Sequence, residues 1–183
     1  MKQNKRIILG VTGSIAAYKS ADITRRLLTE KYCVTVVMTV SSEQFITPLT
    51  LAALSRDRVY RGMFDERCHP EFIHHVGLAQ DADAVLIAPA TANIIGKIAA
   101  GLADDLLTCL VMATKAPILI APAMNTVMYE NKIYQNNCKK LHDFGFHFIE
   151  PIEGQLACRD EGKGHLAPVS EIVKAVNDLL QEK

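Results

Sequence analysis

The stretch Pro117–Asn131, PILIAPAMNTVMYEN, decides how the rest of the chain is read. Its first half, Pro117-Ile118-Leu119-Ile120-Ala121, is a run of β-type apolar residues that stops at Pro122. Such a run is too short for a helix and reads as a buried strand. The chain then turns through Ala123-Met124-Asn125 and restarts in a helix-compatible segment. A strand that ends in a short polar turn before a helix is where an open α/β sheet holds its ligand. Asn125 has a carbonyl that accepts and an amide that donates, so it can grip a carboxylate or an amide. It can equally cap the helix that follows.

The same pattern recurs upstream. Arg6–Val11 (RIILGV) is a short apolar run that breaks at Thr12-Gly13-Ser14. Helical spacing follows over 15–30, with Ile15, Ala16, Tyr18, Ile23, Leu27 and Leu28 on the inner face. A strand, a Gly/Ser turn and a helix in succession aim backbone N–H groups at a phosphate. Val34–Met38 is a second strand and ends in the hydroxyl-rich Thr39-Val40-Ser41-Ser42. Arg56–Glu71 is charged and irregular and reads as a surface excursion with a short edge strand near Val59-Tyr60. Ala84–Ala88 is a third strand, ending at Pro89-Ala90-Thr91-Ala92-Asn93. Ile94–Ala100 and Leu102–Ala113 are small, apolar and helical, and so uniformly apolar that burial on both sides, hence an oligomer, is expected.

Downstream, 125–144 reads as one helix stopped by Gly145, and His147–Ile149 as a last strand. Pro151–Pro168 shows little periodicity and three glycines, Gly154, Gly162 and Gly164. A run of that length without regular structure reads as a lid or binding loop. Val169–Leu180 closes the chain as an amphipathic helix. Strand and helix alternate at least four times, which predicts a doubly wound parallel α/β sheet, Rossmann-like or flavodoxin-like, with helices on both faces, in a single domain over 1–183. All four turns then lie along one sheet edge and form a cleft of N–H groups and hydroxyls. That donor set suits a phosphorylated organic cofactor that carries the hard chemistry.

Composition narrows the classes. The chain has 183 residues, 49% of them apolar, enough for one core. Twenty basic residues balance twenty acidic ones, so no net field steers the protein to nucleic acid or to an anionic membrane. Met1–Arg6 is polar and the apolar run after it ends at Val11, so no signal peptide is expected, nor any membrane span. The five cysteines are scattered and include no CxxC, which argues against disulfides and structural zinc and fits a cytoplasmic setting. The turn after the first strand lacks the G-x-G-x-x-G spacing of a dinucleotide site and the Gly-Lys-Ser/Thr of a P-loop. Tyr129-x-x-Lys132 is one residue short of the Tyr-x-x-x-Lys pair of short-chain reductases. No metal set is visible.

Five motifs occur in order: Gly13-Ser14-Ile15-Ala16-Ala17-Tyr18-Lys19, His75-Val76-Gly77-Leu78, Pro89-Ala90-Thr91-Ala92-Asn93, Pro122-Ala123-Met124-Asn125 with Met128, and Leu156-Ala157-Cys158 with Gly162-Lys163-Gly164. Over nearly the whole chain this combination resembles the flavin-containing cysteine decarboxylases. The resemblance implies FMN surrounded by Gly13, Ser14, Ile15, Thr39, Ser41, Phe45, Thr91, Ala92, Asn93, Ile94 and Ala123. It implies His75, Asn125 and Cys158 as catalytic residues, with Asn125 on the substrate carboxylate and Cys158 as proton donor. Met124, Met128, Ala157 and Lys163 would contact substrate. The implied reaction is the decarboxylation of 4′-phosphopantothenoylcysteine in coenzyme A synthesis. Peptidyl-cysteine decarboxylation and a non-catalytic FMN-binding regulatory subunit are the other activities of similar proteins. The implied assembly is a homotrimer or homododecamer with FMN and substrate near subunit contacts. The implied chain is either a stand-alone enzyme or the first domain of a fusion with the ligase that makes the substrate. Arg159 stands where similar proteins usually have Gly, and would restrict the loop or favour thiolate at Cys158. His165 and Tyr129 depart from the residues common at their positions.

Overall fold

The computed structural model describes residues 4–63, 74–155 and 161–181. Its centre is β1 (Arg6–Val11), in which Ile7, Leu9 and Val11 enter a core on one sheet face and Ile8 enters a second core on the other. The same division holds in β2 (Cys33–Met38), where Val34, Val36 and Met38 face one way and Val37 the other. In β4 (Ala84–Ala90) and β5 (Ile118–Pro122) every residue is buried. A strand covered on both faces needs an apolar residue at each position, which is why these segments are continuous apolar runs.

The helices supply the two covers. On one side lie α1 (Ser20–Thr29), α2 (Pro48–Ser55) and α8 (Val169–Gln181), which bring in Ile23, Leu27, Leu51, Ile172 and Val176. On the other lie α3 (His74–Asp81), α4 (Ala92–Ala99), α5 (Leu106–Ala113) and α7 (Lys132–Asp143), with Leu78, Ile94, Ile95, Leu107, Leu110 and Leu141. A Cβ on Gly10 would stand 2.7 Å from Leu107 Cδ1, so the bare glycine in β1 lets α5 seat closely on the sheet.

With β3 (Val59–Tyr60) and β6 (His147–Phe148) at the edges, the parallel sheet has the order β3-β2-β1-β4-β5-β6. This is the Rossmann order, and it reverses direction between β1 and β4. The doubly wound parallel sheet expected from the sequence is therefore present, and its ligand crevice belongs at the carboxyl ends of β1 and β4.

Three expected elements differ in detail. The helix expected over 15–30 starts as a 3-10 turn (Ile15–Lys19) before α1. Ser20 Oγ donates to Ala17 O at 2.6 Å, a side-chain competitor to the helical ladder at that step. The helix expected over 125–144 is two helices, α6 (Thr126–Glu130) and α7. Asn131 divides them: its backbone is extended (φ −61°, ψ 129°) and its Oδ1 accepts from Ile133 N at 2.8 Å. The loop expected over 151–168 contains an antiparallel hairpin, β7 (Ile152–Gln155) and β8 (Glu161–His165). These strands are rich in Gly and charge, so no apolar alternation announces them.

Candidate functional site

The strand-end turns are tied to one another before any ligand is considered. Thr12, buried at the end of β1, donates its hydroxyl to Pro89 O at 2.7 Å and accepts from Thr91 N at 3.1 Å. One side chain thus spans the reversal point between β1 and β4. A Cβ on Gly13 would stand 2.5 Å from Ser41 Cβ, so the glycine lets the turns after β1 and β2 touch. Ser14 caps the first 3-10 turn by accepting from Ala16 N at 3.3 Å. Thr91 caps α4 by accepting from Ile94 N at 3.3 Å.

Between these turns lies a cavity of about 1100 Å³. Of the residues that the resemblance assigns to FMN, Gly13, Ser14, Ile15, Thr39, Ser41, Thr91, Ala92, Asn93, Ile94 and Ala123 line it. Met124, Asn125 and Met128 line it as well. Phe45 is outside that lining; it ends the 3-10 turn Val40–Gln44, half-exposed. Lys163 is also outside it, and His165, two residues on, lines the cavity. His75 sits half-buried on α3 and does not line this chain's cavity. Ala157 and Cys158 lie outside the described residues, as does Arg159.

Asn125 combines both roles considered for it. Its Oδ1 accepts from Val127 N at 2.8 Å and caps α6, while the residue remains part of the cavity wall. The turn it occupies is gripped by the hairpin. Met124 N donates to Gly164 O at 3.0 Å. A Cβ on Gly164 would stand 2.3 Å from Met124 O, and one on Gly162 2.5 Å from Thr126 Oγ1. Only glycine permits that approach, and the φ of Gly164, 145°, is one that other residues rarely adopt. The Gly162-Lys163-Gly164 motif is thus the contact by which β8 is pressed onto the Asn125 turn. Lys163 Nζ donates to Glu150 Oε2 at 2.9 Å and lies over the Tyr129 ring, and Tyr129 donates its hydroxyl to the same Glu150 oxygen at 2.8 Å. The Lys163 ammonium holds the Glu150 carboxyl below its ordinary range, and Glu150 in turn raises Lys163.

Three cations line the cavity among the described residues. Lys97 donates to both Asp104 oxygens at 2.9 Å and to Asp105 at 3.2 Å, and the hydrogen bond from Asp104 raises it. Arg61 Nε donates to Glu43 at 2.9 Å. Lys19 is lowered by burial. Sequence reasoning named none of these three as site residues, nor Thr12. A cation in a helix-compatible segment or a surface excursion is ordinarily read as solvent-facing, and Thr12 as part of a turn. Among the described residues no group of three His, Cys, Asp or Glu side chains could hold a metal ion. No helix among them is long and apolar enough to cross a membrane.

The comparisons with known proteins agree with this geometry. A family model described as Flavoprotein matches residues 1–181. A Coenzyme A biosynthesis bifunctional protein of Bacillus subtilis is 46% identical over 174 residues, covering 95% of this chain and 43% of the other. A Streptococcus mutans protein described as "Probable phosphopantothenoylcysteine decarboxylase" is 44% identical over 178 residues, covering 96% of this chain and 99% of the other. The chain thus spans less than half of the bifunctional relative. Among solved structures, a PPC decarboxylase mutant complexed with pantothenoylaminoethenethiol superposes with a TM-score of 0.87 at 35% identity, covering 99% of this chain and 100% of that one. The FMN-dependent cysteine decarboxylase SpaF gives a TM-score of 0.81 at 29% identity, covering 96% and 97%.

Proposed function

This chain belongs to the Flavoprotein family, and from that premise we propose that it binds FMN in the strand-end cavity and decarboxylates 4′-phosphopantothenoyl-L-cysteine to 4′-phosphopantetheine. The observation that carries the proposal is the cavity itself. It gathers the glycine, hydroxyl and helix-start residues of the turns after β1, β2 and β4 together with Met124, Asn125 and Met128 after β5. Its volume, about 1100 Å³, slightly exceeds the ~300–1,000 Å³ range of small-molecule sites, which suits a cofactor and a substrate side by side. The backbone of the Gly13 turn, the hydroxyls of Ser14, Thr39 and Ser41, and the N-terminal turn of α4 fit a phosphorylated flavin. We take residues 1–183 as one FMN-binding cysteine decarboxylase domain, with the 151–168 hairpin region as its substrate cover.

FMN, when bound, would remove two electrons from the cysteinyl side chain and return them after CO₂ has left. The chain's own part is orientation. Asn125 would hold the substrate carboxylate, and the apolar Met124 and Met128 the substrate body beside it. The hairpin, seated on the Asn125 turn through Gly162 and Gly164, would exclude water from that end. Ala157 would contact the substrate, and Cys158 would supply the final proton. Lys163 would act through its contacts with Glu150 and Tyr129, as an anchor of the hairpin. Since His75 does not line the cavity of its own chain, its proposed catalytic role calls for a neighbouring copy, in keeping with a homotrimer or a homododecamer.

The test is direct. Purified protein should be yellow and release FMN on denaturation, and mass spectrometry should show 4′-phosphopantothenoylcysteine converted to 4′-phosphopantetheine. A colourless protein that cannot be reconstituted with FMN would sink the flavin reading. An FMN-loaded protein that leaves this substrate intact would sink the substrate reading alone.

A further inference from the structure

Thr126 opens α6 immediately after Asn125, and its side chain lies beneath the hairpin. A Cβ on Gly162 would stand 2.5 Å from Thr126 Oγ1 and 2.9 Å from Thr126 Cγ2, so β8 covers both arms of that side chain. The hydroxyl is shut off from solvent and has no hydrogen-bond partner among the described residues. Buried hydroxyls elsewhere are matched: Thr12 by Pro89 O, Ser20 by Ala17 O, Thr24 by Ser20 O and Thr108 by Asp105. Around Thr126 the backbone is engaged otherwise. Met124 N donates to Gly164 O at 3.0 Å, and Tyr129 N donates to Asn125 O at 2.9 Å.

A buried hydroxyl without a partner bears the full cost of leaving water. Here that cost falls on the seated hairpin alone. When β8 lifts from the Asn125 turn, the hydroxyl meets water and the cost disappears. Seating is favoured by the Met124–Gly164 hydrogen bond and by the contacts of Lys163 and Tyr129 with Glu150. We propose that Thr126 is a positioning residue for the reaction. Its unmatched hydroxyl offsets those contacts and holds the seating of β8 weaker than they would make it, so that substrate enters and product leaves beneath the hairpin. The proposal rests on the reading of the hairpin as substrate cover.

The experiment compares side chains with and without the hydroxyl. Thr126→Val removes it and keeps the branched shape, while Thr126→Ala and Thr126→Ser differ from each other by the hydroxyl alone. The Met124 amide reports seating directly, because its hydrogen bond crosses the contact. Its hydrogen exchange is followed by NMR in the purified protein, and the same preparations are assayed by steady-state kinetics. Exchange is expected to be about fivefold or more slower in Val than in wild type, and in Ala than in Ser. KM and kcat are expected to fall together in Val, by about fivefold, because substrate and product are held under a firmer cover. Exchange that is as fast without the hydroxyl as with it overturns the proposal, as does slower exchange with KM and kcat unchanged. Where a lowered thermal midpoint shows that the valine methyl does not fit beneath Gly162, the Ala and Ser pair decides. Wild-type protein that leaves the substrate intact defeats the substrate reading instead, and the exchange comparison still decides whether the hydroxyl opposes seating.

Discussion

Asn125 and Thr12 show how single side chains at the strand ends can serve the backbone and the cavity together. Asn125 Oδ1 caps α6 through Val127 N, so an Ala variant loses a cap as well as any ligand contact. Asp retains the capping oxygen and is as good an N-cap residue. Asn125→Asp is therefore expected to keep the wild-type thermal midpoint, whereas Asn125→Ala loses about 1 kcal/mol. Both are expected to lose more than about tenfold in kcat/KM, Asp because it sets a like charge against the substrate carboxylate. Thermal melts beside steady-state kinetics separate the roles, and an Asp variant with wild-type kinetics would remove Asn125 from the carboxylate. Thr12 also lines the cavity, but both of its hydrogen bonds go to the end of β4 and the turn after it. Thr12→Val leaves Pro89 O and Thr91 N without that partner in a buried site, at a cost of about 1–3 kcal/mol in a denaturant titration. The turn after β4 then loosens, and FMN affinity falls with it. Asn125 was legible in the sequence because a Pro-Ala-Met-Asn turn after an apolar run has a distinctive outline. Thr12 was not, because its value lies in reaching a turn 77 residues away.

The hairpin β7–β8 makes the equivalent point for a whole element. Its attachment to the Asn125 turn depends on glycines, and a Cβ at position 164 meets the backbone oxygen of Met124, which no side-chain rotation relieves. Gly164→Ala is expected to shift the hairpin, leaving flavin content intact and reducing kcat by about tenfold or more, measured on FMN-loaded protein. Glu150, Lys163 and Tyr129 fasten the outer side of the same element. Because Lys163 holds the Glu150 carboxyl below its ordinary range, this contact stabilises the fold above the ordinary glutamate pKa. That stabilisation is lost as pH falls through the depressed value. On the alkaline side it is lost as pH rises through the raised pKa of Lys163. The contact is solvent-screened, with Glu150 68% exposed, so Glu150→Gln is expected to cost at most about 1 kcal/mol at neutral pH. The gap between variant and wild type should close in acid melts; a constant gap from neutral to acid pH would show that the carboxylate charge is not involved. None of the hairpin was visible beforehand. Strands such as EGKGH carry no period-two apolar pattern, whereas RIILGV and ILIAP, buried on both faces, announced themselves.

At the scale of the whole molecule, the sheet and its helices account for the cores, but not for the apolar side chains left outside. Ile15, Tyr18 and Val40 line the cavity and are nonetheless 58%, 59% and 74% exposed, and Leu49 is 77% exposed. An apolar surface of this kind around a ligand site fits the contact between copies proposed above. The expectation of an oligomer came from the apolar run 94–113, and Leu102 and Met112 within it are half-exposed or more. The sequence could suggest a partner surface from excess apolarity, but pairing His75 with a site required coordinates, since α3 and the Asn125 turn are far apart in the chain. A cyclic assembly that sets the His75 of one copy beside the Asn125 turn of the next would join them. In that arrangement His75→Asn and Asn125→Asp each inactivate a homogeneous assembly, but fail in different copies of a mixed one. Co-expression of the two variants with different affinity tags, followed by tandem purification, isolates mixed oligomers. Every cyclic trimer that holds both variants pairs an intact His75 with an intact Asn125 at one of its three sites, so decarboxylation should recover to about a third of wild type. Mixed oligomers as inactive as either parent would withdraw His75 from a site shared with the Asn125 of a neighbouring copy.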